Sequence, residues 1–560
     1  MPRHIPLLCA FATLALLALP SGAAAGDEGE ERPLFEDRSD DWGLDFVHRS
    51  GATGTLLMPE MMGPGAALFD YDGDGDLDLY LVQGRSLAPE NLDESGIPRP
   101  AATPEDRLYR NDPGPSGPRL VDVTATALPG PFGGYGMGIA VADPDDDGDL
   151  DLYRTALGPD VFLANRGDGT FSAFADPDPA WSTSASFVDV EGDGDLDLFV
   201  ARYLEYSFRE PPTCFAISSG PDYCGPSDLQ PARDRLLLNR GNGAFVDSSD
   251  GLRAPPAPGL GVAVLDGNLD GRPEILVAND GAANHLWRWR SGEGMQDLGE
   301  LAGVAYNQLG RPEASMGIAI GDVDQDARPD LFVTHLSGET DTLYVNESDL
   351  FFDRTLEHGL GPPSLPWTGF GTAFVDPDLD GAEDLVILHG AVRLPESPET
   401  PGPRALAQPP QLLLRRGARF VPASPDRLGL PLRMVGRGLA VGDLDGDGGD
   451  DLLVTETDER ARIVRSVPPP GGRWLAARIE RRPGAPAQGT RVVLRRSGAP
   501  PGPGRWVATD GSYLSARDFR VLFGLGVATP AALEIHHPSG RTLRWLRPPV
   551  HRVLVTRELP

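Results

Sequence analysis

Seven times the chain writes a nine-residue acidic loop that opens on Asp and runs straight into an apolar segment. The first reads Asp70-Tyr-Asp72-Gly-Asp74-Gly-Asp76-Leu-Asp78 and continues Leu-Tyr-Leu-Val; the others open at Asp143, Asp189, Asp266, Asp322, Asp376 and Asp443. A hard cation such as Ca²⁺ takes roughly six to eight oxygens, and acids at loop positions 1, 3, 5 and 9 curl round one ion. Glycine at position 6 permits the sharp bend. Loop two supplies Asp143, Asp145, Asp147, Asp149 and Asp151, and loop three Asp189, Glu191, Asp193, Asp195 and Asp197. Loop six supplies Asp376, Asp378, Asp380 and Asp384, and loop seven Asp443, Asp445, Asp447 and Asp451. Two copies depart from the pattern. Loop four softens to Asp266, Asn268, Asp270 and Glu274, and loop five keeps Asp322, Asp324, Asp326 and Asp330 but has Ala327 in the glycine position. The expected cofactor is therefore Ca²⁺, up to seven ions.

An EF-hand shares the Asp-x-Asp-x-Asp-Gly opening but needs an acid at position 12 and flanking helices. Position 12 is Leu81, Arg154, Val200, Val277, Val333, Ile387 and Val454. The apolar runs on both sides of each loop predict strands instead, as in Gly-Ile-Ala-Val-Ala before Asp143 and Leu-Phe-Val-Ala after Asp197. Each copy then carries a second pairing signal, such as Asn165-Arg-Gly-Asp-Gly-Thr-Phe171 or Asn239-Arg-Gly-Asn-Gly-Ala-Phe245, in which Gly and Asn supply a tight turn. Two hairpins per copy make four strands, the unit of a β-propeller blade. The expected fold is all-β: a seven-bladed propeller over 26–467, a linker at 468–472 and a small β-sandwich-like domain over 473–560. The seventh copy runs out of strands near Arg465, so the segment around Leu34-Phe-Glu-Asp-Arg is expected to close the ring.

With the Gly-x-Gly-x-Ala-x-x-Asp run at 63–70 and 369–376, the repeats resemble FG-GAP or VCBS repeats, the calcium-loop blades also seen in integrin α-subunit heads. Farther on, Trp474-Leu, Gly511-Ser-Tyr-Leu-Ser515, Phe523-Gly-Leu-Gly526 and Pro538-Ser-Gly-Arg541 resemble the ASPIC/UnbV domain, which follows such propellers in bacterial relatives of cartilage acidic protein 1. The resemblance spans about residues 35–557 and implies a calcium-binding, extracellular scaffold.

The N-terminus carries Arg3, an apolar run from Ile5 to Leu19 and then Pro20-Ser-Gly-Ala-Ala-Ala25, the pattern of a secretory signal cleaved near Ala25. About fifteen apolar residues are too few for a bilayer, which needs roughly 20, so no stable membrane span is expected. Secretion, to the periplasm, the cell surface or beyond, would oxidise Cys214 and Cys224, which share one Pro/Gly-rich stretch; one disulfide is expected there. The stretch lies in the longest interval between loops, so it is expected to project from the ring.

The loops hold 33 of the 83 acidic residues, close to the whole surplus of 34 acids over bases. The charge is thus concentrated at the expected metal sites, and so acidic a chain with no basic patch is not expected to bind nucleic acid. All 49 basic residues are Arg, which excludes Schiff-base and phosphate-loop lysine chemistry. No nucleophile elbow or zinc-protease motif occurs, and His536-His537, adjacent in a strand, point to opposite faces. Phe370 and Trp367 are expected to pack, although they suit a sugar surface. Two classes of function follow. The first is a non-catalytic binding or adhesion module with an extracellular protein or glycan partner, its specificity carried by insertions at 84–105, 203–233 and 391–410. The second is an extracellular lyase or hydrolase acting on carbohydrate or a small metabolite, with its site in the channel or between domains.

Overall fold

A computed structural model describes residues 32–557 apart from 95, 102–104, 115–116, 216–219, 396–402 and 498–500. The expected signal segment at 1–25 lies outside the described residues. Among the described residues the propeller region forms seven antiparallel groups of four strands, numbered here as sheets 1 to 7; sheets 2 and 3 are joined into one eight-stranded sheet by the pairing of Trp181 with Leu157, and Cys214–Phe215 and Pro221–Asp222 form a separate two-stranded hairpin. In every one the acidic loop joins the first strand to the second. Sheet 1 runs Ala66–Phe69, Asp78–Leu81, Arg107–Gly114 and Gly117–Asp122, and sheet 2 starts with Tyr135–Ala142 and Asp151–Gly158. The first strands of sheets 3 to 7 are Ala180–Val188, Gly259–Leu265, Ile318–Gly321, Gly369–Val375 and Gly436–Gly442. Sheet 7 has only three strands from its own repeat. Phe35–Asp37 supplies the fourth, with Phe35 opposite Ser466 and Asp37 opposite Val464.

No sheet buries its faces alone, which is why the repeats assemble. Each shares an apolar core with the next. Phe69 and Tyr80 of sheet 1 pack with Ile139 and Leu152 of sheet 2, and Leu79 and Leu81 also meet Ala440, Leu453 and Ile463 of sheet 7, which completes the ring. At the axis the first strands come close enough to select glycine. A Cβ on Gly317 would lie 2.0 Å from the carbonyl oxygen of Phe370 in the next sheet, and one on Gly261 would lie 2.1 Å from that of Met316. Threonine hydroxyls tie the same seams: Thr183 donates to the Gly259 carbonyl at 2.8 Å and Thr455 to that of Pro64 at 2.7 Å.

Beyond the propeller, two four-stranded sheets form a sandwich. One is built on Trp474–Arg482 and Val521–Gly524, with Val553–Arg557 added in parallel; the other contains Arg491–Arg496, Pro501–Trp506, Pro530–His536 and Thr542–Leu546. Leu475, Val492, Phe523, Leu533 and Ile535 fill the space between them. Propeller and sandwich belong to one compact unit spanning 33–560.

The sandwich sits on the loop end of the ring and sends residues 510–518 into its axis. This segment bonds to the inner strand of every sheet. Leu68 N–H donates to the Ala516 carbonyl, Ile139 N–H to that of Leu514 and Ile318 N–H to that of Ser512, while Asp518 N–H donates to the Val441 carbonyl. Leu514 N–H reaches the Ser184 hydroxyl at 3.3 Å, Thr372 N–H the Ser512 hydroxyl at 3.2 Å and Val264 N–H the Asp510 carboxylate at 2.7 Å. Tyr513 is wholly buried; its hydroxyl donates to the Met62 carbonyl at 2.9 Å and its ring meets that of Phe370 edge-on at 4.9 Å.

The other end of the axis is closed by apolar insertions. Cys214 and Cys224 form the expected disulfide. Of the described residues of the bridged stretch, Tyr223 and Cys224 do not project from the ring but fold back into the axial core beside Met58, Met61, Leu406 and Tyr203, while Phe215 is exposed. The reason is the composition of that core. Trp181 meets Tyr203 and Tyr206 edge to face at 5.0 and 5.1 Å and Tyr206 meets Phe208 at 5.2 Å, and so much aromatic surface is stable only when covered.

Candidate metal centres at the acidic loops

All seven loops fold by one rule. The position-1 Asp turns its carboxylate back over the loop and accepts the N–H of position 6, from Gly75 to Asp70 at 3.0 Å, Gly148 to Asp143 at 3.1 Å, Gly194 to Asp189 at 2.9 Å and Gly271 to Asp266 at 2.8 Å. Gly381 to Asp376 and Gly448 to Asp443 follow at 3.0 Å each. Loop five keeps the bond without glycine. Ala327 takes a φ of +69° and donates to Asp322 at 2.9 Å. A left-handed alanine costs on the order of 1 kcal/mol, and the sandwich holds it there. Arg491 donates to its carbonyl at 2.8 Å, and Gly504 packs on its Cα while donating its own N–H to Asp322 at 2.6 Å. The substitution that weakens loop five in the sequence is thus covered by a domain that the loop itself gives no hint of.

The position-9 acid plays a different part. One of its oxygens accepts an N–H from the third strand, as Asp78 does from Asn111 at 2.8 Å, Asp197 from Asn239 at 2.8 Å, Asp330 from Asn346 at 2.9 Å and Asp451 from Ser466 at 2.8 Å. The other oxygen accepts the N–H of position 2, as from Tyr71 to Asp78 at 3.0 Å. In loops two and six position 2 is Pro144 or Pro377, which has no N–H to give. The second oxygens of Asp151 and Asp384 are accordingly buried without a donor, as is one oxygen of Asp378.

The loops bring oxygens of Asp70, Asp72 and Asp78, of Asp143, Asp145 and Asp147, of Asp322, Asp324 and Asp330, and of Asp376, Asp378 and Asp380 within 4.8 Å of one another in each set. Asp76, Asp149 and Asp195 at position 7 instead donate their N–H to the position-5 carboxylates of Asp74, Asp147 and Asp193. Burial drives the charged form of these acids uphill. Burial, helped by the charge of neighbouring loop acids, pushes the carboxyls of Asp78, Asp151 and Asp384 up to about 8. Grouped, buried, donor-poor carboxylate oxygens on a turn of fixed shape are what a hard divalent cation requires. Calcium fits these residues in loops one, two, five and six.

Arginines, which the sequence reading passed over, stand beside most of the loops, among them Arg240 at 3.6 Å from Glu191 in loop three and Arg416 at 3.5 Å from Asp378 in loop six, and in loops four and seven one guanidinium spans two of the acids at positions 3, 5 and 9. Arg288 bonds to Asp270 and lies 3.3 Å from Glu274 in loop four. Arg465 binds Asp445 and Asp447 in loop seven, and Arg520 from the sandwich binds Asp443. The signal for Arg288 and Arg465 was an Arg in the third strand, visible once strand register is known.

Both sites expected for an enzyme are changed by the fold. The channel is filled by Tyr513, Leu514 and Phe370, so Phe370 packs as expected, and Arg437 lies 3.9 Å over its ring with Nε donating to the Met61 carbonyl at 2.6 Å. Between the domains a cavity of about 380 Å³ remains beside loops three and four, bordered by Trp506, Asp510, Arg481 and His537.

Residues 145–200 and 266–333 match the FG-GAP-like repeat, and residues 480–559 match the ASPIC and UnbV domain. Cartilage acidic protein 1 of Mus musculus is 30% identical over 166 residues, which is 28% of this chain and 25% of that protein. The Homo sapiens protein is also 30% identical over 166 residues, covering 28% and 24%. The chain thus matches about a quarter of the length of these relatives. Among solved structures, a lectin of Burkholderia pseudomallei aligns over 72% of this chain and 96% of its own at 10% identity, with a TM-score of 0.40. The chain is a β-propeller followed by a β-sandwich, with parts of the propeller similar to the FG-GAP-like repeat and most of the sandwich similar to the ASPIC and UnbV domain.

Proposed function

We propose that the protein is an exported, calcium-stabilised interaction module: a rigid ring locked by the sandwich at one end and offering its partner the insertion surface at the other. The observation that carries this reading is the set of buried carboxylate oxygens in loops one, two, five and six, two of them deprived of a donor by proline. A divalent cation supplies the missing partner. The disulfide supports export, since it needs an oxidising compartment. The filled channel favours binding over catalysis. At the far end, Phe215 stands 63% exposed beside the disulfide and offers an apolar contact. Binding of the full chain to glycan and surface-protein arrays, in calcium and in chelator, tests the partner. Calcium-dependent capture that is lost when Phe215 is replaced by Ser supports this reading, and no capture on either array contradicts it.

The cavity between the domains favours a second reading, an enzyme on a carbohydrate or small metabolite with Asp510 and His537 at its edge. Turnover that is abolished by Asp510→Asn would favour it over the first.

A further inference from the structure

The residue of the third strand that stands opposite the position-9 acid differs between sheets in a way that sorts the loops. In sheet 4 it is Arg288, directly paired with Glu274. Extending the other ladders by one residue gives Arg110 in sheet 1, Arg465 in sheet 7, and Ala164, Leu238, Val345 and Leu414 in sheets 2, 3, 5 and 6. Directly opposed residues point to one face of a sheet, roughly 5 Å apart, so this side chain stands beside the loop. An aliphatic residue cannot enter it; a guanidinium can.

Arg288 and Arg465 do enter. Arg288, only 15% exposed, spans Asp270 and Glu274, the acids at positions 5 and 9. Arg465 spans Asp445 and Asp447, with its Nη2 2.5 Å from Asp447, and Arg520 takes one oxygen of Asp443 and leaves the other without a donor. Two guanidinium groups bring loop seven the same charge as one calcium ion. Arg110 does not enter. Asp112, two residues along on the same face, holds it by two bonds at 2.7 and 3.3 Å, and Asp70, Asp72 and Asp78 stay gathered. The matching positions in sheets 4 and 7 are Arg290 and Val467, neither of which can hold an arginine back.

We propose that loops four and seven are closed by arginine instead of calcium, so that the chain takes at most five ions and not seven, and that the third-strand residue opposite position 9 decides which. This rests on the calcium reading of the remaining loops. The test is calcium counted per chain by elemental analysis and calorimetric titration on the full-length protein, after stripping and reloading. The wild-type protein should hold four or five, and no more than five. Arg288→Leu and Arg465→Leu should each add one, and Asp112→Ala, which releases Arg110 toward loop one, should remove one. Six or seven ions in the wild-type protein, or an unchanged count in Arg288→Leu, overturns the inference while leaving the calcium reading intact. No bound calcium at all overturns the calcium reading, and this inference with it. If Arg465→Leu does not fold, the wild-type count and Arg288→Leu still decide.

Discussion

At one end of the ring, seven copies of a single acidic turn face a β-sandwich through backbone groups and arginines; at the other, insertions of unequal length close the axis with Met, Tyr and Trp. The loop end is polar and repetitive, and its order comes from carboxylates that accept N–H groups at fixed positions, such as Asp376 from Gly381 and Asp451 from Ser466. The insertion end is apolar and unique, held by Tyr203, Tyr223 and the disulfide. The lesson is that the same ring is stabilised by two separable means. One depends on what neutralises buried charge and the other on covered area. The residues at 510–518 join them, since Tyr513 near their middle reaches from the loop end to Met62 and Phe370.

That join is where the largest effect is expected. Tyr513→Ala removes a wholly buried aromatic at the meeting of both ends and should cost about 3–5 kcal/mol in urea unfolding. A loss under about 1 kcal/mol would mean that the axis collapses readily and the two ends are independent. Next, replacing Cys214 and Cys224 together by Ser should cost roughly 2–3 kcal/mol in the loop-closure account of a short bridge. The gain in melting temperature on adding calcium should stay as it is. A diminished calcium effect in this variant would break the separation of the two ends.

A smaller effect, on pH dependence, concerns Asp341, a buried carboxyl of neither end. Burial, and then the charge of Glu313, pushes it up to about 8 from an ordinary value of 3.8. The folded state therefore keeps a proton that the unfolded state releases, and its contribution to stability is present at low pH and lost as pH rises from about 4 to 8. Asp341→Asn keeps the acceptor for the His335 N–H and removes the titration. Melting curves of the two proteins should converge near pH 4 and separate toward pH 8 in favour of the variant. Parallel curves would show that Asp341 is charged throughout.

Much of this was legible in the sequence because it is local. Position spacing in the loops, the turn at Asn165–Phe171 and the shortage of strands after Arg465 each fix a hairpin or its absence. They led to four-stranded sheets closed by Phe35–Asp37. The gathered acids of loops one, two, five and six follow from the same spacing. What stayed hidden depends on contacts far apart in the chain. Nothing near Asp322 announces that Gly504 will hold Ala327 in place, and nothing in Gly511–Ser515 says that it enters the ring. Tyr223 and Cys224 fold inward because an aromatic core is there to join, which the length of the interval could not show. Arg288 and Arg465 lie 14 residues after the position-9 acids of their loops, and only register places them beside the carboxylates.

Differential scanning calorimetry of the full chain at neutral pH, with calcium and with excess EDTA, tests the central claim directly, that divalent cations hold the loop end. Binding to the folded state alone stabilises it by about 4 kcal/mol for a single site filled a thousandfold above its dissociation constant. Several loops together should therefore lower the melting temperature by more than about 10 °C when the metal is removed. An unchanged melting temperature would contradict the account.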